Sequence, residues 1–262
     1  MSLTELTLEN PIKTATLEAR DFDGVRHGFM SRLGGLSEGA WASFNLAYWV
    51  GDDPSAVSTN WERWRAAYPA MRLAQVTQVH GNIVRTIDSG YDGARLQADG
   101  MVTAASGIAL GIFTADCVPI LIVDPVRRVA GALHAGWRGI LADIVAAGVR
   151  AMIGLGAHAA DMRAAMGPAI GSCCFEVDLE LAERFARSIP HARANIRGGK
   201  PGKAYLDLRA IAGGQLERAG LPPDAITTVG PCTRCASDRY FSRRANGGTI
   251  SGLQMSFVGF EE

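Results

Sequence analysis

The sequence predicts an α+β fold in which buried sheets are covered by helices. Four segments repeat apolar residues at helical spacing and carry start and stop signals. Six apolar runs, rich in β-branched residues, are too short for helices and read as buried strands. Apolar residues make up 48% of 262 and charged residues only 20%, so the chain can bury a large core without staples.

The first helix is expected over 53 to 68. Asp53 can cap it, Pro54 suits its first turn, and Val57, Trp61, Trp64 and Tyr68 form a stripe that reads as core. Ile83 to Ile87, Ile108 to Phe113, Val118 to Val123 and Val129 to Leu133 read as strands. A second helix is expected over 140 to 153, with Ile140, Ile144, Gly148 and Ala151 on one face and Gly154 and Gly156 at its end. Met162 to Met166 is the next strand, and a helix over 178 to 189 carries Leu181, Phe185 and Ile189 before Pro190 stops it. Arg193 to Lys203, with three Gly, one Pro and several basic residues, reads as an exposed loop within one domain. Asp207 caps the last helix, 207 to 219, whose face is Leu208, Ile211, Gln215 and Leu216 and which ends at Gly220 and Pro222. Ile226 to Val229 is the last of the six strands.

At about 150 residues per domain the length allows one large or two small domains, and without an internal repeat or linker 1–262 is read as one. Lys+Arg 26 balance Asp+Glu 26, so the electrostatic footprint of a nucleic-acid or membrane binder is missing and neither partner is expected. Asp116 interrupts the best membrane candidate, Gly107 to Ala115, well short of the ~18 apolar residues of a span. Met1 to Glu5 lacks the basic and apolar regions of a signal peptide, and a cytoplasmic location is expected.

Two likenesses, the first to a dinucleotide-binding fingerprint and the second to a phosphate loop, fail. Gly154-Leu155-Gly156 follows a helix instead of linking a strand to one, and Gly198 to Lys203 lacks the spacing and has Ala204 where a Ser or Thr would hold magnesium. Five cysteines in a reducing compartment point to free thiols, metal ligands or nucleophiles. Cys232-Thr233-Arg234-Cys235 has the spacing of half a zinc knuckle, but the remaining pair, Cys173-Cys174, is adjacent instead of spaced, which weighs against structural zinc.

The chemistry concentrates between Thr114 and Gly139. Two apolar strands flank Asp124-Pro125-Val126-Arg127, a turn signal, and pairing Asp124 with Arg127 would set Cys117 opposite His134. Cβ atoms so placed lie about 4.5–5.5 Å apart, close enough to share a metal ion or to form a nucleophile and base. Pro119 cannot donate to a ladder, which argues for an edge strand or a bulge there. A buried thiol beside a hydrogen-bonded histidine, without function, is the competing reading. His80, in Gln78-Val79-His80-Gly81, is a third candidate: two imidazoles and a thiolate suit zinc and leave a fourth position open, and the same set with a weak axial ligand suits copper.

Gln78-Val79-His80-Gly81, Thr114-Ala115-Asp116-Cys117-Val118-Pro119 and His134-Ala135-Gly136-Trp137-Arg138-Gly139 resemble the YfiH family, also called the laccase-domain or polyphenol-oxidoreductase family. Further ordered matches include His27-Gly28-Phe29, Phe44-Asn45-Leu46, Ala98-Asp99-Gly100, Gly167 to Gly171 with Cys173 to Val177, and Phe241-Ser242-Arg243-Arg244. The resemblance implies a single-domain α-β-β-α sandwich with mixed sheets and a zinc site falling on His80, Cys117 and His134. It also implies phosphorolysis of adenosine, inosine and 5′-methylthioadenosine to the free base and a pentose 1-phosphate, with adenosine deamination beside it. The older name implies a copper-linked polyphenol oxidase activity, yet a mononuclear copper plus a trinuclear cluster needs more imidazoles than His27, His80, His134, His158 and His191 supply.

For phosphate, Arg138 is the first choice, with Arg32 and Arg243 from the matched motifs behind it. Asp99 and Asp116 are read as groups that orient ligands ahead of general acids. Two rivals stay open on the sequence: Cys117 and His134 as a metal-free nucleophile and base in a hydrolase of amides or peptidoglycan precursors, and a metal-bearing binding protein without turnover.

Overall fold

The computed structural model describes residues 5–7, 15–17, 19, 22 and 24–262. Residues 1–4, on which the expectation about a signal peptide rests, lie outside the described residues.

Among the described residues, two six-stranded sheets stack face to face. The first contains β1 (Glu5–Thr7), β2 (Ala15–Leu17), β3 (Arg26–Met30), β4 (Arg72–Gln75), β7 (Ile108–Thr114) and β15 (Gln254–Gly259), in the order β1-β2-β3-β15-β7-β4. The second contains β5 (Val84–Thr86), β6 (Gly100–Thr103), β8 (Val118–Asp124), β9 (Val129–Ala135), β10 (Arg163–Met166) and β14 (Ile226–Thr228), in the order β14-β10-β8-β9-β6-β5. Both sheets are mixed: β4 runs parallel to β7, β5 to β6 and β14 to β10, while the other pairs are antiparallel. A small third sheet joins β11 (Glu176–Asp178), β12 (Ile196–Gly198) and β13 (Lys203–Leu206).

Alternation along β8 explains why it is apolar throughout. Leu121 and Val123 face Ile108, Leu110 and Ile112 between the two sheets. Ile120 and Ile122 face a second core under α2 (Trp137–Leu141), α3 (Ile144–Gly154), α4 (Leu179–Ser188) and α5 (Leu208–Arg218). On the outer face of the first sheet, α1 (Pro54–Ala67) buries Val57, Trp61 and Trp64 against Phe113, Met255 and Phe257. The layers are therefore α-β-β-α, the fold class expected. Gly148 of α3 meets β9 so closely that a Cβ there would lie 2.6 Å from Leu133 Cδ1. That contact seats the helix on the strand carrying His134, where burying Leu133 is worth about 1.5–3 kcal/mol.

Four local expectations need correction. The helix expected over 140 to 153 is two helices, broken at Asp143, which takes a left-handed φ of 60° and caps the second through Ala146 N. The β8–β9 hairpin pairs Asp124 with Val129 and Val118 with Ala135, two residues away from the expected register. Asp124 Oδ1 accepts the amides of both Val126 and Arg127, and Arg128 turns left-handed at φ 52°, which widens the loop. Pro119 lies on a central strand, not an edge: its carbonyl accepts from Gly167 N, and its missing donor faces the same side, beyond the end of β10. Arg193 to Lys203 forms a short 3-10 turn and most of the β12–β13 hairpin instead of a loop.

Candidate metal centre

Three segments far apart in sequence deliver the donors. His80 follows β4 in a loop that Gln78 locks to β7, its amide nitrogen donating to Phe113 O and its amide oxygen accepting from Phe113 N, both at 2.8 Å. Cys117 ends the turn between β7 and β8, after Asp116, whose φ is 96°. Thr233 Oγ1 and Arg244 N donate to the two Asp116 oxygens at 2.6 and 2.7 Å, which fixes that turn. His134 sits near the end of β9.

Although Pro119, not Cys117, is the cross-strand partner of His134, Cys117 lies two residues before Pro119. A register shift of two keeps every side chain on its face. One donor atom from each of His80, Cys117 and His134 therefore falls within 4.8 Å of the others. The imidazole rings stand edge to face, 4.8 Å between centroids and 83° between planes.

Asp99 braces both histidines. It is fully buried and accepts the amides of Val79, His80 and Gly81 at 3.2, 2.8 and 2.6 Å, which wraps the loop around one carboxylate and holds His80 at a left-handed φ of 62°. Its Oδ1 also meets His134 Nδ1 at 2.8 Å, and its carbonyl accepts His134 N. With Nδ1 engaged, the other ring nitrogen of His134 is left for a ligand, the carboxylate-to-histidine bracing common at metal sites.

Electrostatics prepare the thiolate. Burial pushes the Cys117 thiol up, but the charge and hydrogen bonding of His134, with help from His80, outweigh it and bring it down to about 6. Burial pushes the His134 imidazolium down, and Cys117 and Asp99 together raise it to about 9. Burial also raises the Asp99 carboxyl, and its bonds to His134 and the loop amides carry it below the usual range.

The donor set fits a divalent metal. A tetrahedral ion bound at 2.0–2.3 Å holds N and S donors roughly 3.4–3.6 Å apart, and three protein ligands leave one position for substrate or water. Gly136 presses on this set: a Cβ there would lie 3.0 Å from Cys117 Sγ and 3.2 Å from His80 Cδ2. Its φ of −72° suits any residue, so the need for glycine is one of space. Gly136→Ala should fold normally by circular dichroism yet bind zinc on the order of tenfold more weakly in a chelator competition; unchanged affinity would refute the crowding argument.

The expected phosphate ligands fare differently. Arg138 is exposed, in the first turn of α2, with its guanidinium 4.3 Å above the Trp137 ring. Arg32 gives donors to the carbonyls of Ala42, Ser237 and Ala40 and packs over Phe241. Arg243 closes its own turn through Gly248 O. Of the other histidines, His27 is bonded to Val25 O and Ala19 N, His191 to Ile211 O, and His158 pairs with Asp161 at 3.9 Å, so none joins the centre. The role of Gly136 carried no signal in the sequence beyond its place in the His134 motif.

The family model described as multi-copper polyphenol oxidoreductase laccase matches residues 26–261. A purine nucleoside phosphorylase from Streptomyces coelicolor is 41% identical over 226 residues, 85% of this chain and 91% of its own. An adenosine deaminase, RL5, from an unknown prokaryotic organism is 33% identical over 90% of this chain and 95% of its own. Among solved structures, a hypothetical YfiH protein from Bacillus licheniformis superposes with a TM-score of 0.89 at 31% identity, covering 97% of this chain and 98% of that one.

Proposed function

The chain belongs to the multi-copper polyphenol oxidoreductase laccase family, of the YfiH type, and on that footing we propose that it is a zinc-dependent purine nucleoside phosphorylase with adenosine deaminase activity. The observation that carries the proposal is the His80–Cys117–His134 set gathered around one point and braced by Asp99. His80, Cys117 and His134 would hold the ion, which when bound supplies Lewis acidity and makes water a better nucleophile near neutral pH.

Phosphorolysis joins a phosphate oxygen to the anomeric carbon and breaks the bond to the purine, which leaves with the electron pair and takes up a proton. The protein must hold an anion beside the sugar while positive charge develops there. Arg138 is the residue we assign to phosphate, since its guanidinium stands exposed four residues beyond His134; Arg32 and Arg243 rank behind it because neighbouring carbonyls already engage them. Asp99 keeps both imidazoles oriented, and the Asp116 anchorage keeps Cys117 at the mouth of β8.

The test is release of hypoxanthine from inosine by zinc-loaded protein, with and without phosphate. Phosphate-dependent release in the wild type and its loss in Cys117→Ala are expected; no release from folded, metal-loaded protein would sink the reading. Adenosine converted to inosine under the same conditions tests the deaminase activity. Copper in place of zinc at the same three donors would account for weak polyphenol oxidation.

A second reading is favoured by one observation, the Cys117 thiol held within 4.8 Å of the His134 ring, whose far nitrogen is bonded to Asp99. It makes the protein a metal-free hydrolase of amides or peptidoglycan precursors. Turnover that survives chelation and dies on alkylation of Cys117 would favour it over the phosphorylase.

A further inference from the structure

Four cysteines outside the centre also converge. Cys173 and Cys174 lie in a turn closed by Cys174 N and Phe175 N on Gly171 O, and Cys232 and Cys235 in a turn tied to the same region by Thr233 N on Ala169 O. Their four sulfurs all lie within 4.8 Å of one another, with Cys174 and Cys235 at 3.4 Å and Cys173 and Cys235 at 3.7 Å. Thiolates on a tetrahedral zinc, at about 2.3 Å from the ion, stand roughly 3.8 Å apart. The adjacency of Cys173 and Cys174, which weighed against a metal in the sequence, is no obstacle, because the turn sends both sulfurs to one place.

The backbone around Cys232 points the same way. Gly171 N donates to Cys232 Sγ at 3.2 Å, and the amides of Arg234 and Cys235 are directed at the same sulfur. Three amides on one sulfur stabilise a thiolate, and the Arg234 guanidinium beside Cys174 supplies positive charge.

We propose that Cys173, Cys174, Cys232 and Cys235 form a second, structural zinc site with four sulfur ligands. Each thiol gives its proton to solvent, the ion stays divalent, and the filled site carries two negative charges next to Arg234. With all four positions taken by sulfur, no place is left for water or substrate. The site serves the first one at a distance. Thr233, between two of the ligands, donates to Asp116, the residue before Cys117, and Arg244, whose amide holds the other Asp116 oxygen, also donates to Cys174 O and Glu176 O. An ion here would clamp two chain segments, 173–174 and 232–235, beside the turn that presents Cys117.

Metal content separates this proposal from the one above. After zinc loading and removal of excess, wild-type protein should hold two ions per chain and His80→Ala/Cys117→Ala one, with a further ion lost from each on adding Cys232→Ser/Cys235→Ser. Cobalt(II) loaded into His80→Ala/Cys117→Ala should show intense sulfur-to-metal charge transfer and the visible bands of a tetrahedral site, a readout that needs no change to the cluster should the serine variant fail to fold. A folded His80→Ala/Cys117→Ala protein that takes up neither zinc nor cobalt would overturn the site. So would wild-type protein, isolated without reductant, lighter by two hydrogens because of a disulfide within the cluster.

Discussion

Asp99→Ala is expected to weaken zinc binding at the His80–Cys117–His134 centre by about 10²–10³-fold. A group bracing one ligand is worth about 10–100-fold in metal affinity, and this carboxylate braces two: His134 through its ring and His80 through the amides of the 79–81 loop. Removing it leaves the buried His134 ring donor with no acceptor, at about 1–3 kcal/mol, and frees three half-buried loop amides, so the left-handed turn at His80 should relax and the melting temperature should fall. Asp99→Asn is no gentler for the metal, since one of its two acceptor positions becomes an NH2 facing a donor. Chelator competition measures the affinity and circular dichroism the folding. Wild-type affinity in folded Asp99→Ala would remove Asp99 from the centre.

Zinc affinity at the same centre should rise tenfold for each pH unit between about 6 and 9. In the metal-free protein over that range Cys117 has already lost its proton and His134 still carries an extra one. A ligating His134 must be neutral, so binding expels one proton and affinity climbs with pH at unit slope. Below about pH 6 the thiol is protonated too, two protons leave, and the slope doubles; above about 9 the pair has none to give. Across the window the change is about a thousandfold. Competition against a zinc buffer of known pH dependence in the cluster-free Cys232→Ser/Cys235→Ser protein reads the slope, and a flat profile would show that the ion pair does not form.

Much of this was legible because local signals agreed. Asp53 and Pro54 mark the start of α1, where the structure has it, and side-chain alternation put Cys117 and His134 on one face even though the register was two residues off. Features set by tertiary partners were hidden. Gln254-Met255-Ser256-Phe257-Val258-Gly259 reads as half polar, yet Gln254 and Ser256 are buried, with the Gln254 amide exchanging hydrogen bonds with the backbone of Phe241. The break at Asp143 was masked by an apolar face that continues across it. Arg32 stood as a second-rank phosphate candidate because nothing local says that backbone carbonyls of residues 40, 42 and 237 converge on it.

The placement of β15 imposes a timetable on biosynthesis. It is the last strand described, yet it lies between β3 and β7 in the middle of the first sheet. From Thr114, the end of β7, to Gln254, the start of β15, about 140 residues must be made, on the order of ten seconds at ribosomal speed. Throughout that interval β3 and β7 each present an open edge and a row of unpaired amides, the kind of surface that pairs with other chains. The second sheet, complete at β14, is available earlier. A growing chain can thus bring Cys117 and His134 together on the β8–β9 hairpin well before the sheet behind them closes, and the nascent protein holds its ligands while it is still vulnerable to its neighbours.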